Sequence, residues 1–149
     1  MKYRFRKEST LQVLVLCVIT IGGYLMYKLY QLSKEINKNS NEISKRFMLL
    51  TILFFILSTI SLLWGVANLP DTQLLKAHLP IHIFSSVLDV VWIVKVRNQL
   101  NSLSGAKKGQ KEWLNAYLTS IFHVIYFQHM INNNYEATIN KSLQQISAE

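Results

Sequence analysis

Long charge-free apolar runs, rather than the periodic faces of a half-buried core, organise this chain. Residues 47–70 read FMLLTILFFILSTISLLWGVANLP without one charged side chain. That exceeds the ~20 helical residues needed to cross a ~30 Å hydrocarbon layer. Trp64 lies near one end, where an indole ring suits the headgroup boundary. The pattern predicts a membrane-spanning helix over residues 47–69. A first run, residues 9–27, leads into the tyrosine-rich GGYLMYKLYQL, so a segment is expected over 9–31, weakened or kinked at Gly22 and Gly23. A third, residues 78–94, carries Pro80, His82 and Asp89 and predicts a segment over 78–98, with His78 in a loop ahead of the proline. The fourth, expected over 112–132, holds Asn115, Thr119, His123, Gln128 and His129, and either spans the layer or lies in its interface.

Charge placement gives a topology. The first connection carries Lys28, Lys34, Lys38, Lys45 and Arg46, and the third Lys95, Arg97, Lys107, Lys108 and Lys111. The second holds Lys76 and the C-terminal tail Lys141. Basic flanks stay cytoplasmic, so the loops at 32–46 and 99–111 are expected inside a cell (inner) membrane and the second connection outside. The N-terminus is then frustrated. Lys2, Arg4, Arg6 and Lys7 are carried outside if the first segment spans, and stay inside if it turns back at Gly22-Gly23. A re-entrant turn needs its loosened backbone buried in protein. Both arrangements stay open. No small-residue cleavage site follows the run, which is therefore expected to be retained.

Composition narrows the class. Half the residues are hydrophobic and 16% are charged, against ~25% in soluble domains. The net charge of +8 lies beside apolar runs, which points to membrane flanks rather than nucleic acid. Cys17 is the single cysteine, which excludes an intramolecular disulfide and paired-cysteine zinc sites. The chain is expected to be one all-α integral membrane domain of about four membrane-embedded helical segments. Three segments close on an aliphatic residue and asparagine, namely Ile36-Asn37, Leu100-Asn101 and Ile131-Asn132. Asparagine is common enough here that this echo is not read as a repeat.

Candidate chemistry concentrates in the third segment. His82, Ser85, Ser86 and Asp89 fall at i, i+3, i+4 and i+7 and share one helical face. An ionised Asp89 in hydrocarbon is costly and needs protein or water around it, and His123 of the fourth segment is its candidate partner in a proton- or ion-handling pair. The competing reading makes Asp89 a shallow, solvated residue near Lys95. His78 and His82 present too few ligands for a metal site, and no cofactor is expected. The stretch SGAKKGQK is not a phosphate loop, and no nucleophile elbow appears. Tyr24, Tyr27 and Tyr30 suit an interfacial belt.

VLCVITIGGYLMYKLYQLSKEIN resembles the opening of the small multi-pass membrane-protein family known as domain of unknown function 4234, through Thr20, Gly22, Tyr24, Tyr27 and Asn37. DVVWIVKVRNQLN and WLNAYLTSIFHVIYFQHMIN are similar to its third and fourth segments, with Asn115, Thr119, Tyr126, Gln128 and Asn132 in place. His123 departs from the pattern, standing where a small residue is usual, as does the doubled glycine. The resemblance implies a multi-pass membrane protein and no particular activity. The expected role is non-enzymatic: an accessory or scaffold subunit packing in the bilayer with itself or with a larger membrane complex. The alternative is a small oligomeric ion or proton transporter using Asp89 and His123.

Overall fold

The computed structural model describes residues 5–38, 42–68 and 72–135. The basic residues Lys2, Arg4 and Lys141 and the end of the second run at Pro70 lie outside them. Five α-helices follow in order: α1 (Thr10–Ile19), α2 (Gly23–Ile36), α3 (Lys45–Ala67), α4 (Thr72–Ser104) and α5 (Ala116–Met130), the last running into a π-helical turn (Ile131–Tyr135). Among the described residues there is no strand. The chain packs as two units, residues 44–92 and residues 1–43 with 93–149, the division falling inside α4.

Among the described residues two helices, not four, are long and apolar enough to cross a membrane: Lys45–Ala67 and, within α4, His78–Ser104. At ~1.5 Å per residue the 23 residues of α3 reach beyond a ~30 Å hydrocarbon layer. By the same measure α1, with 10 residues, and α5, with 15, do not.

The first expected segment is two helices because α1 ends in a closed cap. Ile21 donates its N–H to the Val18 carbonyl (3.1 Å) and Gly22 to the Cys17 carbonyl (2.8 Å), the paired bonds of a Schellman motif. That motif forces left-handed backbone at Ile21 (φ 50°), and Gly22 follows at φ 82°. A β-branched residue there is strained by ~1–2 kcal/mol. The break therefore centres on Ile21-Gly22, and Gly23 is already the first residue of α2. Thr20 Oγ1 bridges it, donating to the Leu16 carbonyl (2.7 Å) and accepting from the Tyr24 N–H (2.8 Å). The chain then doubles back, for Glu8 ahead of α1 meets Tyr24 and Lys28 of α2. α2 is amphipathic, burying Met26, Leu29, Leu32, Ser33 and Ile36 and exposing Tyr27 and Tyr30.

The aliphatic-asparagine echo proves to be structural. Asn37 donates to the Ile43 carbonyl (2.6 Å) and accepts from its N–H (3.2 Å). Asn101 repeats both bonds on Leu114, at 3.2 and 2.8 Å. Each amide pairs like backbone with a buried residue beyond the loop, and the preceding Ile36 and Leu100 are fully buried. Asn132 satisfies the Glu8 carbonyl (2.7 Å) in a related way.

α3 and α4 pair antiparallel in the unit of residues 44–92. Phe47 packs edge-on against Trp92 (centroids 6.5 Å apart) and Phe54 against Phe84 (4.7 Å). Ser58 Oγ lies 2.7 Å from His82 Nδ1, and Ser61 bonds His78 Nδ1. Going forward along α3 from Phe47 to Ser61, the partners run back along α4 from Trp92 to His78. His78 is therefore helical and bonded, not in a loop; α4 continues through Pro80, which removes one ladder bond near the helix start.

α5 starts later than residue 112 because Asn115 caps it, its side chain accepting from the Tyr117 N–H (2.8 Å). The helix is interrupted at His123, whose backbone (φ 46°, ψ −126°) is not helical.

Candidate functional site

Polar side chains collect in two places, one per unit. The first is the seam between α3 and α4. His82 and Ser85 turn into it: His82 is half-buried on Ser58, and Ser85 is buried. Asp89, one turn further on, is half-buried, and its Oδ1 is sequestered without a hydrogen-bond partner. Ser86 is exposed instead, on the outer side of α4. There it lines a shallow groove of about 460 Å³ with His82, Ile83, Val87, Val90 and Val91. The seam extends beyond the sequence-derived face at one end, to His78 and Ser61. Its buried α3 residues are Met48, Thr51 and Gly65.

His123 lies in the other unit, at the break in α5. It is half-buried, and its Nδ1 has no hydrogen-bond partner. Asp89 and His123 belong to separate units.

The second cluster was not anticipated. Lys28 is 3% exposed, and its ammonium lies 2.9 Å from Glu8 Oε2 and donates to Gln128 Oε1 at 3.0 Å. The Tyr24 hydroxyl donates to the same Glu8 oxygen (2.6 Å), while the Arg6 guanidinium, largely in solvent, sits 3.0 Å from the other. Gln128 donates to the Arg6 carbonyl (3.1 Å) and to Asn132 Oδ1 (3.0 Å). The segment before α1, the first turns of α2 and the end of α5 are thereby tied together. Beside the ammonium is a cavity of about 70 Å³ bounded by Phe5, Arg6, Gln31, Glu35 and Gln128 among others. Burial works against Glu8 ionising. The Tyr24 and Lys28 hydrogen bonds, with the charges of Lys28 and Arg6, outweigh it and hold the carboxyl below its ordinary 4.5. Lys28, which the charge pattern groups with the first connection, lies in α2 and is neutralised inside the fold. The available signal was that Lys28 is the single charge between Glu8 and Lys34.

These contacts give the Thr-x-Gly-x-Tyr stretch a physical meaning. Thr20 caps α2, Gly22 supplies the left-handed turn, and Tyr24 reaches back to Glu8. A family model described as Domain of unknown function (DUF4234) matches residues 8–102. The chain belongs to this family. The DUF4234 match takes in Glu8, the Thr20–Tyr24 turn, Lys28, both apolar helices and the α3–α4 seam. It stops before α5, so Gln128, Asn132 and His123 lie beyond it. No curated protein and no solved structure matches this DUF4234 chain. Among the described residues, no three histidine, cysteine or acidic side chains are grouped to hold a metal ion.

Proposed function

We propose that this DUF4234 chain is a multi-pass membrane protein, anchored by α3 and α4, that serves as a non-enzymatic accessory or scaffold subunit. One observation carries the membrane part: the α3–α4 unit turns its large aliphatic side chains outward, while its polar side chains at Ser58, Ser61, His78 and His82 bond across the interior. Thr51, Gly65 and Ser85 are buried, whereas Leu49, Leu53, Ile60, Leu63, Ile83 and Val87 are 51–63% exposed. Only 11% of the most apolar stretch of α3 is buried. In water each such leucine or isoleucine forgoes ~1.5–3 kcal/mol of transfer free energy; in lipid tails none is lost. A helix apolar all round belongs in a core or a bilayer. The doubled-back α1–α2 pair supports a first segment that returns to its side of entry, which keeps the N-terminal basic residues with the cytoplasmic loops. Neutralisation of Lys28 by Glu8 removes a charge that would oppose its insertion.

The accessory role rests on what remains outside. Ser58 and Ser61 bond His82 and His78 across the seam, and the outer side of α4 carries two shallow apolar grooves, one lined by Leu79, Pro80, Ile83, Phe84 and Val87, the other by Val87, Val90 and Val91. Such surfaces suit a second copy or another membrane helix. Affinity purification in gentle detergent with cross-linking in the native membrane tests this. A stoichiometric membrane partner or a defined homo-oligomer is expected; a monomer that cross-links to nothing contradicts it.

A second reading, ion or proton handling through Asp89 and His123, is favoured by the sequestered, unpartnered Asp89 Oδ1 and His123 Nδ1. Flux in proteoliposomes that is lost in both Asp89→Asn and His123→Ala supports that pair.

A further inference from the structure

We propose that the α3–α4 seam is itself a proton relay, running from Ser61 and His78 through Ser58 and His82 to Asp89, without His123. It rests on the reading that α3 and α4 cross the membrane. His78, His82, Ser85 and Asp89 fall at i, i+4, i+7 and i+11, the alternation of four and three that keeps one stripe against a partner helix. Across from them, Ser61 bonds His78 and Ser58 bonds His82. The two rungs and the carboxylate therefore form one file of groups that both accept and donate protons. Successive members on α4 are one turn apart, about 5–6 Å between Cβ atoms, a gap that one water molecule spans.

Packing alone does not account for this file. Interhelical polar bonds in a bilayer contribute only ~0.6 kcal/mol on average. An unpartnered buried acceptor such as Asp89 Oδ1 costs ~1–3 kcal/mol. Leucine and isoleucine, which recur along both helices, would fill the seam without that cost. Ionisable groups held in such a place mark proton paths. No formal charge faces them from α3 between residues 47 and 68. On α4 the nearest charges are Lys76, before His78, and Lys95 and Arg97, beyond Asp89. On α3 the nearest charges are Lys45 and Arg46 at its start, and none of these cations is bonded to the Asp89 Oδ1.

The chemistry closes without net change. Each imidazole takes a proton on one ring nitrogen and releases the one on the other, and each serine hydroxyl accepts one proton as it gives one. Asp89 passes from carboxylate to carboxylic acid and back. Turning of the imidazoles and hydroxyls resets the file.

The test uses the full chain in proteoliposomes, with insertion checked by resistance to alkaline carbonate. Decay of an imposed pH gradient is followed with a fluorescent dye under a potassium–valinomycin clamp. Decay above that of empty vesicles is expected, reduced about tenfold or more in Asp89→Asn and in His82→Ala, since a positioned proton-transfer group contributes ~10²–10⁴-fold. Ser86→Ala and His123→Ala are expected to retain it, and circular dichroism checks that all variants keep their helix content. Carbonate-resistant wild-type protein with no flux, unchanged flux in Asp89→Asn, or flux lost in His123→Ala overturns the relay. Release of the wild type by carbonate instead overturns the membrane-crossing reading on which it rests.

Discussion

Glu8→Gln removes the charge that balances a buried ammonium. Lys28 is 3% exposed and the Glu8 side chain 9%; without the carboxylate, the ammonium keeps only the amide oxygens of Gln128 and Gln31. Breaking one side of a fully buried pair costs ~3–5 kcal/mol. The water-facing Arg6 guanidinium also touches Glu8 and shares its charge, so ~2–3 kcal/mol is expected here. Lys28→Met strands the carboxylate and should cost a similar amount. Removing both partners leaves no uncompensated charge, and methionine fills the lysine stem's volume, so the double variant should lie within ~1 kcal/mol of the wild type. The cycle then gives a coupling of roughly 3 kcal/mol or more. Denaturant unfolding in mild detergent, followed by tryptophan fluorescence, measures all four corners. The pH dependence adds a sign. Because the folded Glu8 carboxyl lies below its ordinary 4.5, its contribution is complete above that value and is lost as pH falls through the folded pKa. Glu8→Gln should lack this acid loss. Additive single effects below ~0.5 kcal/mol, the range of ordinary surface substitutions, would refute the reasoning.

Five further variants, at four positions, probe the turns and the break in α5. Gly22→Ala places a side chain at φ 82° and should lower stability by ~1 kcal/mol. Gly23→Ala, helical and with its new Cβ 3.6 Å from Thr20 Cβ, should be neutral or stabilising by up to ~1 kcal/mol; the same unfolding assay ranks them. Asn101→Ala leaves both the N–H and the carbonyl of buried Leu114 unpaired, a loss of ~2–3 kcal/mol, with faster hydrogen exchange in residues 105–115. His123→Gly relieves the φ of 46° and should stabilise by ~1 kcal/mol, seen as a higher Tm, whereas His123→Val lowers it.

The residues themselves show what could be read in advance. The second and third runs became α3 and α4, the two described helices long and apolar enough to cross a membrane. The glycine pair located the break in the first segment to within two residues. That Ile21 takes the strained position was not legible, since glycine usually does. The burial of Lys28 was not legible because its partner Glu8 lies on the far side of a turn. The asparagine echo was visible, but its loops differ in length, from Asn37 to Ile43 and from Asn101 to Leu114, so no fixed spacing signalled a common role. The face of His82, Ser85, Ser86 and Asp89 follows from helical periodicity, but periodicity did not show that Ser86 lies on the outer side of α4. Its Ser58 and Ser61 partners required the antiparallel register of α3 and α4. Nothing in the sequence around His123 marks the break in α5, which has neither glycine nor proline there.

The central claim, that α3 and α4 both cross the membrane, is tested most directly by single-cysteine labelling in a Cys17→Ser background. Ser44→Cys and Lys108→Cys flank the pair on one side, and Asn68→Cys lies in the connection between the helices. In sealed cells or vesicles of known orientation, a membrane-impermeant maleimide should label Asn68→Cys from outside and the other two only after permeabilisation. Equal labelling of all three from one face would contradict the account.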